Sequence, residues 1–366
     1  MFGISKKAVH QIGLDIRSDS VRMIQLANTG GTPAVVAAEH TEHRVESECT
    51  EEQRREKLVQ TVKRMLARGK FTGRDVVSTI SSDVLVIKSL RLDTADPRQI
   101  EEELKQEVAE RFGLESQHAE IRYLVAGNVY QGDVTKNEII VFGVDNESVS
   151  AHLAMIEEVG LNPVAIEALP CALFRSFQSS LRRQEDQDTV TAIIEIGPGH
   201  TVVVIGRGQE MVFVKQIPVG GDTLNAHVAA RLDVAEVEAR RLRSKLKAGD
   251  DDSIDATTRQ AIIDAVRPAI ENLANEISLC FRYYAVTFRG QRPENVILAG
   301  AEAGEKTILN ALRRQLGVDI TIAQPLKGFD LSEVDLSSGS DINLSEWAVA
   351  AGLGMKRMKF EPCGVN

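Results

Sequence analysis

The stretch GLDIRSDSVRMIQL, residues 13–26, has the pattern of a β-hairpin with a polar tip. Apolar residues alternate on either side of Asp15, three small polar residues follow, and a second alternating run then departs. A hairpin that wraps a phosphate usually has glycine at its tip, because the backbone N–H groups must approach the anion closely. Arg17 stands at that position. The stretch therefore predicts a nucleotide-type hairpin with one unusual residue.

A similar pattern returns half a chain later, in TAIIEIGPGHTVVVIGRGQEMVFVKQIPVGGD, residues 191–222. It reads as a strand, a tight glycine-rich turn, a second strand, another turn and a third strand. Glu195 occupies the place that Asp15 has in the first hairpin. A polar stretch over 180–190 separates the halves. The two acid-bearing hairpins predict an internal duplication, with one lobe built around each.

Composition narrows the class of protein. A chain of 366 residues is long enough for two or more domains with real cores. The net charge of −10 argues against a nucleic-acid partner and is ordinary for a well-dissolved protein. The four cysteines form no C-x-x-C pair, which disfavours zinc, and so few cysteines in a chain of this length fit a reducing cytosol. No apolar run approaches 18 residues, so we expect membrane contact only through a partner.

Two kinds of catalytic site lack their sequence signatures. The histidines show no metal-ligand spacing beyond the pair at 40 and 43, so no metal site is predicted. The chain also has no G-x-S-x-G elbow for a serine nucleophile. We therefore predict no catalytic residue.

Between the two hairpins, the periodicity indicates a small extra unit. Helix, strand, strand, helix between residues 96 and 159 predicts an inserted α+β subdomain. Further helices are predicted over 50–68, 222–247, 258–285, 304–316 and 345–357. The resulting division has a first lobe core (11–88 plus 164–185), an inserted subdomain (89–163), a second lobe core (190–222 plus 286–360) and a helical subdomain (223–285).

Taken in order, these motifs resemble the actin-like ATPase superfamily, and within it the PilM family of type IV pilus assembly proteins. The resemblance implies an α/β fold with two lobes of duplicated ribonuclease-H-like cores and a small α+β subdomain inserted in the first lobe. It covers nearly the whole chain. The matching segments are GLDIRSDSVRMIQL, DPRQIEEELKQEVAERF, IIVFGVDNESVSAHLAMIEEVGLNPVAIEALPCAL, AIIEIGPGHTVVVI, IPVGGDTL, NVILAG and LSEWAVAAGLGMKRM.

The function implied by this resemblance is that of a cytoplasmic scaffold. PilM-like proteins dock the short cytoplasmic tail of the membrane protein PilN, so we expect a peripheral position at the inner membrane through partners. Contacts with other pilus assembly components and self-association would accompany that role. The alternatives are an active ATPase resembling FtsA or PilM, a sugar or acetate kinase, and the cytoplasmic part of a GspL-like secretion protein.

The same resemblance places nucleotide contacts on four elements. Relatives that bind nucleotide show D-x-G-x-x-x-x-K/R in the first hairpin, D-x-G-x-G-T-T in the second, a strand followed by three glycines, and A-E-x-L-K on a helix. The matching positions are Asp15, Arg17, Ser18, Ser20, Arg22, Glu195, Gly197, Gly199, His200, Thr201, Gly221, Arg240, Arg243, Gly300 and Ala301.

Each of these four elements departs from the pattern. Arg17 replaces a glycine, Pro198 removes a backbone donor, Glu302 brings negative charge toward a negative ligand, and Arg240 falls on the glutamate position. We therefore expect ATP and Mg²⁺ to bind weakly or not at all, without hydrolysis. Arginines at 17, 240 and 243 could compensate in part on the phosphate side.

The subdomain and the first lobe are expected to form a groove for an extended tail that binds by strand addition. The acidic run 101–103 together with Glu107 would then favour a tail that carries Lys or Arg. The alternative for Leu104 and Val108 is a place in the core of the subdomain. The candidate wall residues are Leu104, Val108, Phe112, Ile140 and Phe142.

Overall fold

The computed structural model describes residues 8–29, 32–42, 50–94, 96–114, 117–131, 134–178, 187–248, 253–290, 292–336 and 343–358. Within them the strands are β1 (Ala8–Ile16), β2 (Ser20–Thr29), β3 (Thr32–Glu42), β4 (Asp75–Thr79), β5 (Val86–Leu92), β6 (Ala119–Gln131), β7 (Val134–Asp145), β8 (Asn162–Glu167), β9 (Val190–Ile196), β10 (Thr201–Arg207), β11 (Glu210–Ile217), β12 (Asn295–Ala299) and β13 (Asp319–Ile322). The helices are α1 (Glu51–Arg68), α2 (Pro97–Phe112), α3 (Asn146–Val159), α4 (Leu169–Gln178), α5 (Gly221–Leu232), α6 (Glu236–Lys247), α7 (Ala256–Thr287), α8 (Lys306–Leu316) and α9 (Ala348–Gly354), with a 3₁₀ turn at Leu344–Trp347.

Two five-stranded sheets of the same topology form the lobes. The first has the strand order β3-β2-β1-β4-β8 and the second β11-β10-β9-β12-β13. In each, three antiparallel strands are followed by two parallel ones. The internal duplication predicted from the two hairpins is confirmed by this repeated order.

The first lobe is closed by helices whose ends carry clear capping signals. Thr50 and Gln53 form a capping box at the start of α1. Asp145 caps α3, and Gly160 ends it in the left-handed conformation at φ 89°. The buried side chains of α1 and α3 pack together on the first sheet.

The segment of the chain between β4 and β8 forms a third sheet, with the strand order β5-β7-β6. This sheet is separate from the two five-stranded sheets. Its strands are antiparallel, and α2 covers one face of it. The sequence assigned α3 to this insertion at 89–163. In the structure Met155, Ile156 and Val159 of α3 instead share a core with Ile12 of β1. The domain limits remain predictions, but the contacts place α3 with the first lobe.

Two predicted helices are divided in the structure. The stretch 222–247 breaks after Leu232, because Asp233 adopts the left-handed conformation at φ 54° and so ends α5. The stretch 345–357 begins with the 3₁₀ turn and ends as the short helix α9. This helix packs closely on α4: a Cβ at Gly352 would lie 1.8 Å from the carbonyl oxygen of Ala172.

Candidate functional site

The two hairpin tips meet between the lobes, and Arg17 joins them. Asp15 lies at the end of β1 and Glu195 at the end of β9, both buried. Arg17 Nε donates to Asp15 Oδ1 at 2.7 Å, and its Nη1 lies 3.4 Å from Glu195 Oε1. Burial alone would lower the pKa of Arg17, but the two carboxylates outweigh burial and raise it. The guanidinium is therefore a fixed positive charge between the lobes.

Each of these carboxylates keeps one oxygen without a hydrogen-bond partner among the described residues. These atoms are Asp15 Oδ2 and Glu195 Oε2. Burial raises the pKa of Glu195, and Arg17 opposes that rise. Carboxylate oxygens are the ligands that Mg²⁺ prefers, so the two acids have the donor chemistry to hold that ion. The guanidinium already supplies positive charge at the same place.

Little space remains beside Arg17. The cavity lined by Arg17, Ser18, Pro198, Gly199 and His200 has a volume of about 30 Å³. That is room for about one water molecule. A phosphate group would have to displace the arginine to enter at this end of the cleft.

A larger cavity of about 580 Å³ lies on the other side of the hairpins, between β2 and α6. Its cationic residues are already paired. Arg240 donates to Asp222 at 2.7 Å, and Arg22 donates to Ser20 Oγ at 2.9 Å and to Glu346. The sequence predicts that Arg240 faces a phosphate. In the structure Asp222, 18 residues earlier in the chain, binds its guanidinium and would compete with a phosphate for it.

Arg243 is buried in an ion-pair network rather than exposed in the cleft. It donates to Glu302 at 2.7 Å, to Glu305 and to Asn225. Burial alone would raise the pKa of Glu302, but Lys247 and Arg243 reverse the shift and lower it to about 2. From the sequence alone, Glu302 is predicted to bring an unbalanced negative charge close to a bound nucleotide. The structure shows that its charge is balanced internally.

The predicted turn residues form tight turns whose polar atoms bond within the protein. Gly300 has φ 96°, and a Cβ there would lie 2.4 Å from the carbonyl oxygen of Ile196. Thr201 Oγ1 donates to the carbonyl of Val219 at 2.7 Å. The N–H of Gly197 bonds to the carbonyl of His200 at 3.0 Å. Three further bonds of this kind join Gly221 N–H to the Gly197 carbonyl, Lys247 Nζ to the Ala301 carbonyl, and Ser345 Oγ to the Gly300 carbonyl.

A second candidate site is a groove of about 600 Å³ between the third sheet and the first lobe. Its walls come from β6, β7, α3 and β8. The apolar lining includes Phe142, Leu153, Val164 and Ile166. β6 and β8 are the last strands of their sheets, and no described strand pairs with their outer edges. The groove therefore offers apolar side chains beside backbone groups that are free to pair.

The predicted partner residues divide between this groove and the core. Phe142 lines the groove, whereas Ile140 is fully buried two residues earlier. Leu104 and Val108 pack in the core between α2 and the third sheet, on the opposite face. The side chain of Phe112 lies outside the described residues. The acidic residues of α2 do not line the groove, whose charged residues are Glu120, Arg122, Glu167 and Lys356.

Comparison with known proteins identifies the family. The sequence model of the family "Type IV pilus assembly protein PilM" matches residues 13–358. The chain belongs to the PilM family. Its fold is similar to that of a solved PilM-PilN type IV pilus biogenesis complex, with a TM-score of 0.76, 20% identity, and coverage of 94% of this chain and 98% of that one. The fold is that of the actin-like ATPases.

Two further relatives are more distant from this PilM-family chain. The ethanolamine utilization protein EutJ from Carboxydothermus hydrogenoformans has a TM-score of 0.56 and 14% identity, over 94% of this chain and 89% of EutJ. The cell division protein FtsA of Bacillus subtilis is 20% identical over 189 residues, which are 47% of this chain. The match spans only 41% of the length of FtsA.

Sequence reasoning missed the acidic partners of the arginines and most of the groove. Glu346 lies 324 residues from Arg22, so no local pattern could have paired them.

No described helix is long and apolar enough to cross a bilayer. Among the same residues, no three His, Cys, Asp or Glu side chains are grouped to hold a metal ion.

Proposed function

We propose that this protein is a cytoplasmic scaffold of a type IV pilus machine that docks the tail of a PilN-like inner-membrane protein in the groove. We propose further that its nucleotide cleft is held closed by internal ion pairs. Membership of the PilM family supports the first statement. The observation that carries it is the groove itself, with apolar side chains between two strand edges to which no described strand pairs.

The groove suits an extended, mainly apolar segment. Pro163, Val164, Ala165 and Ile166 of β8 are all half-buried and line the groove, so their side chains remain partly accessible. A peptide that pairs with either edge gains backbone hydrogen bonds, and alternate side chains enter the groove. Six residues, the length of β8, span about 20 Å when extended.

Charge at one end of the groove favours an acidic group in the segment. Glu167 is buried and accepts from Arg175 at 2.5 Å and from Lys356. Two cations thus face one carboxylate. The sequence favoured a basic tail because of the acidic residues of α2, which do not line this groove. We therefore propose a segment with an Asp or Glu near Lys356.

The proposed closure of the cleft rests on charge. A phosphate at the hairpin tips has to separate Arg17 from both Asp15 and Glu195. The larger cavity beside it is lined by five carboxylate side chains and three cationic ones. The carboxylates are Asp19, Glu42, Asp222, Glu302 and Glu346, and the cations are Arg22, Arg240 and Lys247. With Glu302 and Lys247 left out, because they pair with each other and Arg243 also balances Glu302, four carboxylates still face two cations. A net negative lining opposes the entry of a polyanion.

The alternative is an ATPase that couples nucleotide state to assembly. One observation favours it: the two carboxylate oxygens without partners have the chemistry of Mg²⁺ ligands. In that case Arg17 would swing out when Mg-ATP enters. The shift in Tm that Mg-ATP produces distinguishes the two functions, because only a bound nucleotide stabilises the fold.

Peptide titration tests the docking role. A labelled peptide with the sequence of the PilN-like protein's cytoplasmic tail is titrated with the full chain, and binding is followed by fluorescence anisotropy. Val164→Glu puts a charge on the groove wall, and we expect it to weaken binding at least tenfold. Val237→Glu is the matched control, because Val237 is 60% exposed on α6 of the other lobe.

The control variant should bind like the wild type. If Val164→Glu folds normally by circular dichroism and binds the peptide as tightly as the wild type, the groove is not the docking site. If no tail peptide binds the wild-type chain, the scaffold function proposed here is wrong.

A further inference from the structure

A basic surface lies on an otherwise acidic protein. Residues 60–74, QTVKRMLARGKFTGR, contain five basic residues and no acidic one, whereas the whole chain has a net charge of −10. The five residues are Lys63, Arg64, Arg68, Lys70 and Arg74. We call these five side chains the basic surface. Basic residues in the last turn of a helix complement its dipole. The dipole does not account for basic residues outside that turn.

The fold holds the basic surface outward. Val59, Val62 and Met65 on the opposite face of α1 are buried against the first sheet. All five basic residues are exposed. Arg68 lies 3.3 Å from Glu39, and Arg64 donates to the hydroxyl of Thr61 at 3.2 Å. Glu39 is therefore the carboxylate that pairs with this surface, and Asp75 directly follows Arg74 in the sequence.

The basic surface adjoins one end of the groove. The carbonyl of Arg74 accepts a hydrogen bond from the N–H of Asn162 at 2.8 Å. The next residue, Pro163, lines the groove. A segment that leaves the groove at this end therefore passes beside the basic surface.

We propose that the basic surface binds the anionic phospholipid headgroups of a membrane directly. Clusters of four to eight Lys or Arg side chains suit such a surface, and each adds about fivefold to the affinity for an anionic leaflet. Because the basic surface lies beside the groove, lipid binding there would hold the protein against the same bilayer from which a docked tail emerges. The lipid contact does not require the tail, so it goes beyond the docking role.

Vesicle co-sedimentation tests this proposal with the full chain and no peptide. Vesicles of phosphatidylcholine alone are compared with vesicles containing phosphatidylglycerol, at low and at physiological salt. We expect binding to the anionic vesicles only, and weaker binding at the higher salt. Lys63→Glu, Arg64→Glu and Lys70→Glu combined should lower the affinity about a hundredfold or more.

A charge-matched variant separates the surface from net charge. Arg241→Glu, Arg267→Glu and Arg314→Glu make the same change in total charge at exposed positions on helices of the second lobe. This variant should retain most of the vesicle binding.

Three results would overturn the proposal. They are no binding of the wild type to anionic vesicles, equal loss in both triple variants, and equal binding to neutral vesicles. If instead a DNA duplex binds through the same residues while vesicles do not, the surface belongs to nucleic acid and the lipid assignment fails. None of these results bears on peptide docking in the groove, which the anisotropy titration tests alone.

Discussion

A single side chain, that of Arg17, determines the charge at the hairpin tips in the cleft. Where relatives of this fold that bind nucleotide have glycine, this chain places a guanidinium between Asp15 and Glu195. Its side chain is 12% exposed, and those of its partners are 1% and 5% exposed. Buried ion pairs add little net stability, but breaking one leaves charges with no compensation. Arg17 therefore supplies the positive charge that links the two buried acids.

Replacing Arg17 should destabilise the protein strongly. We expect Arg17→Met to lower the free energy of unfolding by about 3 kcal/mol or more, because both buried carboxylates lose their cation. Urea denaturation followed by circular dichroism measures it. Adding Glu195→Gln to the variant should restore part of the loss.

The control is Arg240→Met, which breaks a pair whose two side chains are 43% and 42% exposed. Such a pair contributes about 1 kcal/mol or less. If Arg17→Met lowers the free energy of unfolding by no more than the control does, the bridging role of Arg17 is contradicted.

At the scale of elements, α3 is held to the first sheet partly by a half-buried histidine. His152 Nε2 lies 2.8 Å from Ser78 Oγ on β4. Burial lowers the pKa of His152 to about 4. The unfolded chain has a histidine pKa of about 6.5, so between pH 6.5 and 4 the unfolded state binds a proton that the folded state does not. The stability is present above pH 6.5 and is lost as the pH falls toward 4.

We expect the free energy of unfolding to drop by about 2 to 3 kcal/mol from this group between pH 7 and pH 4. His152→Gln cannot titrate, so its stability should fall less steeply over that range. Urea denaturation at several pH values measures both slopes.

His227→Gln, on an exposed face of α5, is the control and should keep the slope of the wild type. Parallel slopes for His152→Gln and the wild type would show that protonation of His152 does not loosen α3. His40, whose pKa burial also lowers to about 4, adds to the slope of all three proteins.

At the scale of the whole molecule, polar contacts join units that lie far apart in sequence. Arg91 of β5 donates to Tyr283 of α7 at 3.1 Å, and Tyr283 donates to Glu138 of β7 at 3.1 Å. The third sheet thus contacts the second lobe as well as the first. Together with the bridge at Arg17, these bonds link the two lobes.

A molecule linked in this way should respond little to nucleotide. With 1 mM Mg-ATP, a ligand of 10 μM Kd would add about 2.7 kcal/mol of stability, which is several degrees in Tm. We expect a shift below about 1 °C by differential scanning fluorimetry. Arg17→Gly should show a larger shift relative to its own Tm without nucleotide, since glycine lets the backbone approach a phosphate.

ATP without Mg²⁺ controls for effects of the anion. A shift of several degrees in the wild type, or steady phosphate release, would favour the ATPase alternative over the closed cleft.

The sequence alone predicted the two hairpins, their duplication and several helix ends. Alternating hydrophobic runs around Asp15 and Glu195 fixed both hairpins, because a strand with one buried face has a period of two residues whatever surrounds it. Thr50 and Gly160 also mark helix ends, for the same local reason. The departures at Arg17 and Glu302 were also visible in the sequence, although what those side chains contact was not.

Only the tertiary structure decided the partners and the groove. Arg22 meets Glu346 across 324 residues, and Arg243 meets Glu302 across 59. Which charges pair depends on how the lobes close, and no local period encodes that. The groove depends on β6 and β8 becoming outer strands, and strand order is set by long-range packing. Burial then decides whether a carboxylate such as Glu302 repels a ligand or anchors a helix, because the energy of a charge depends on its surroundings.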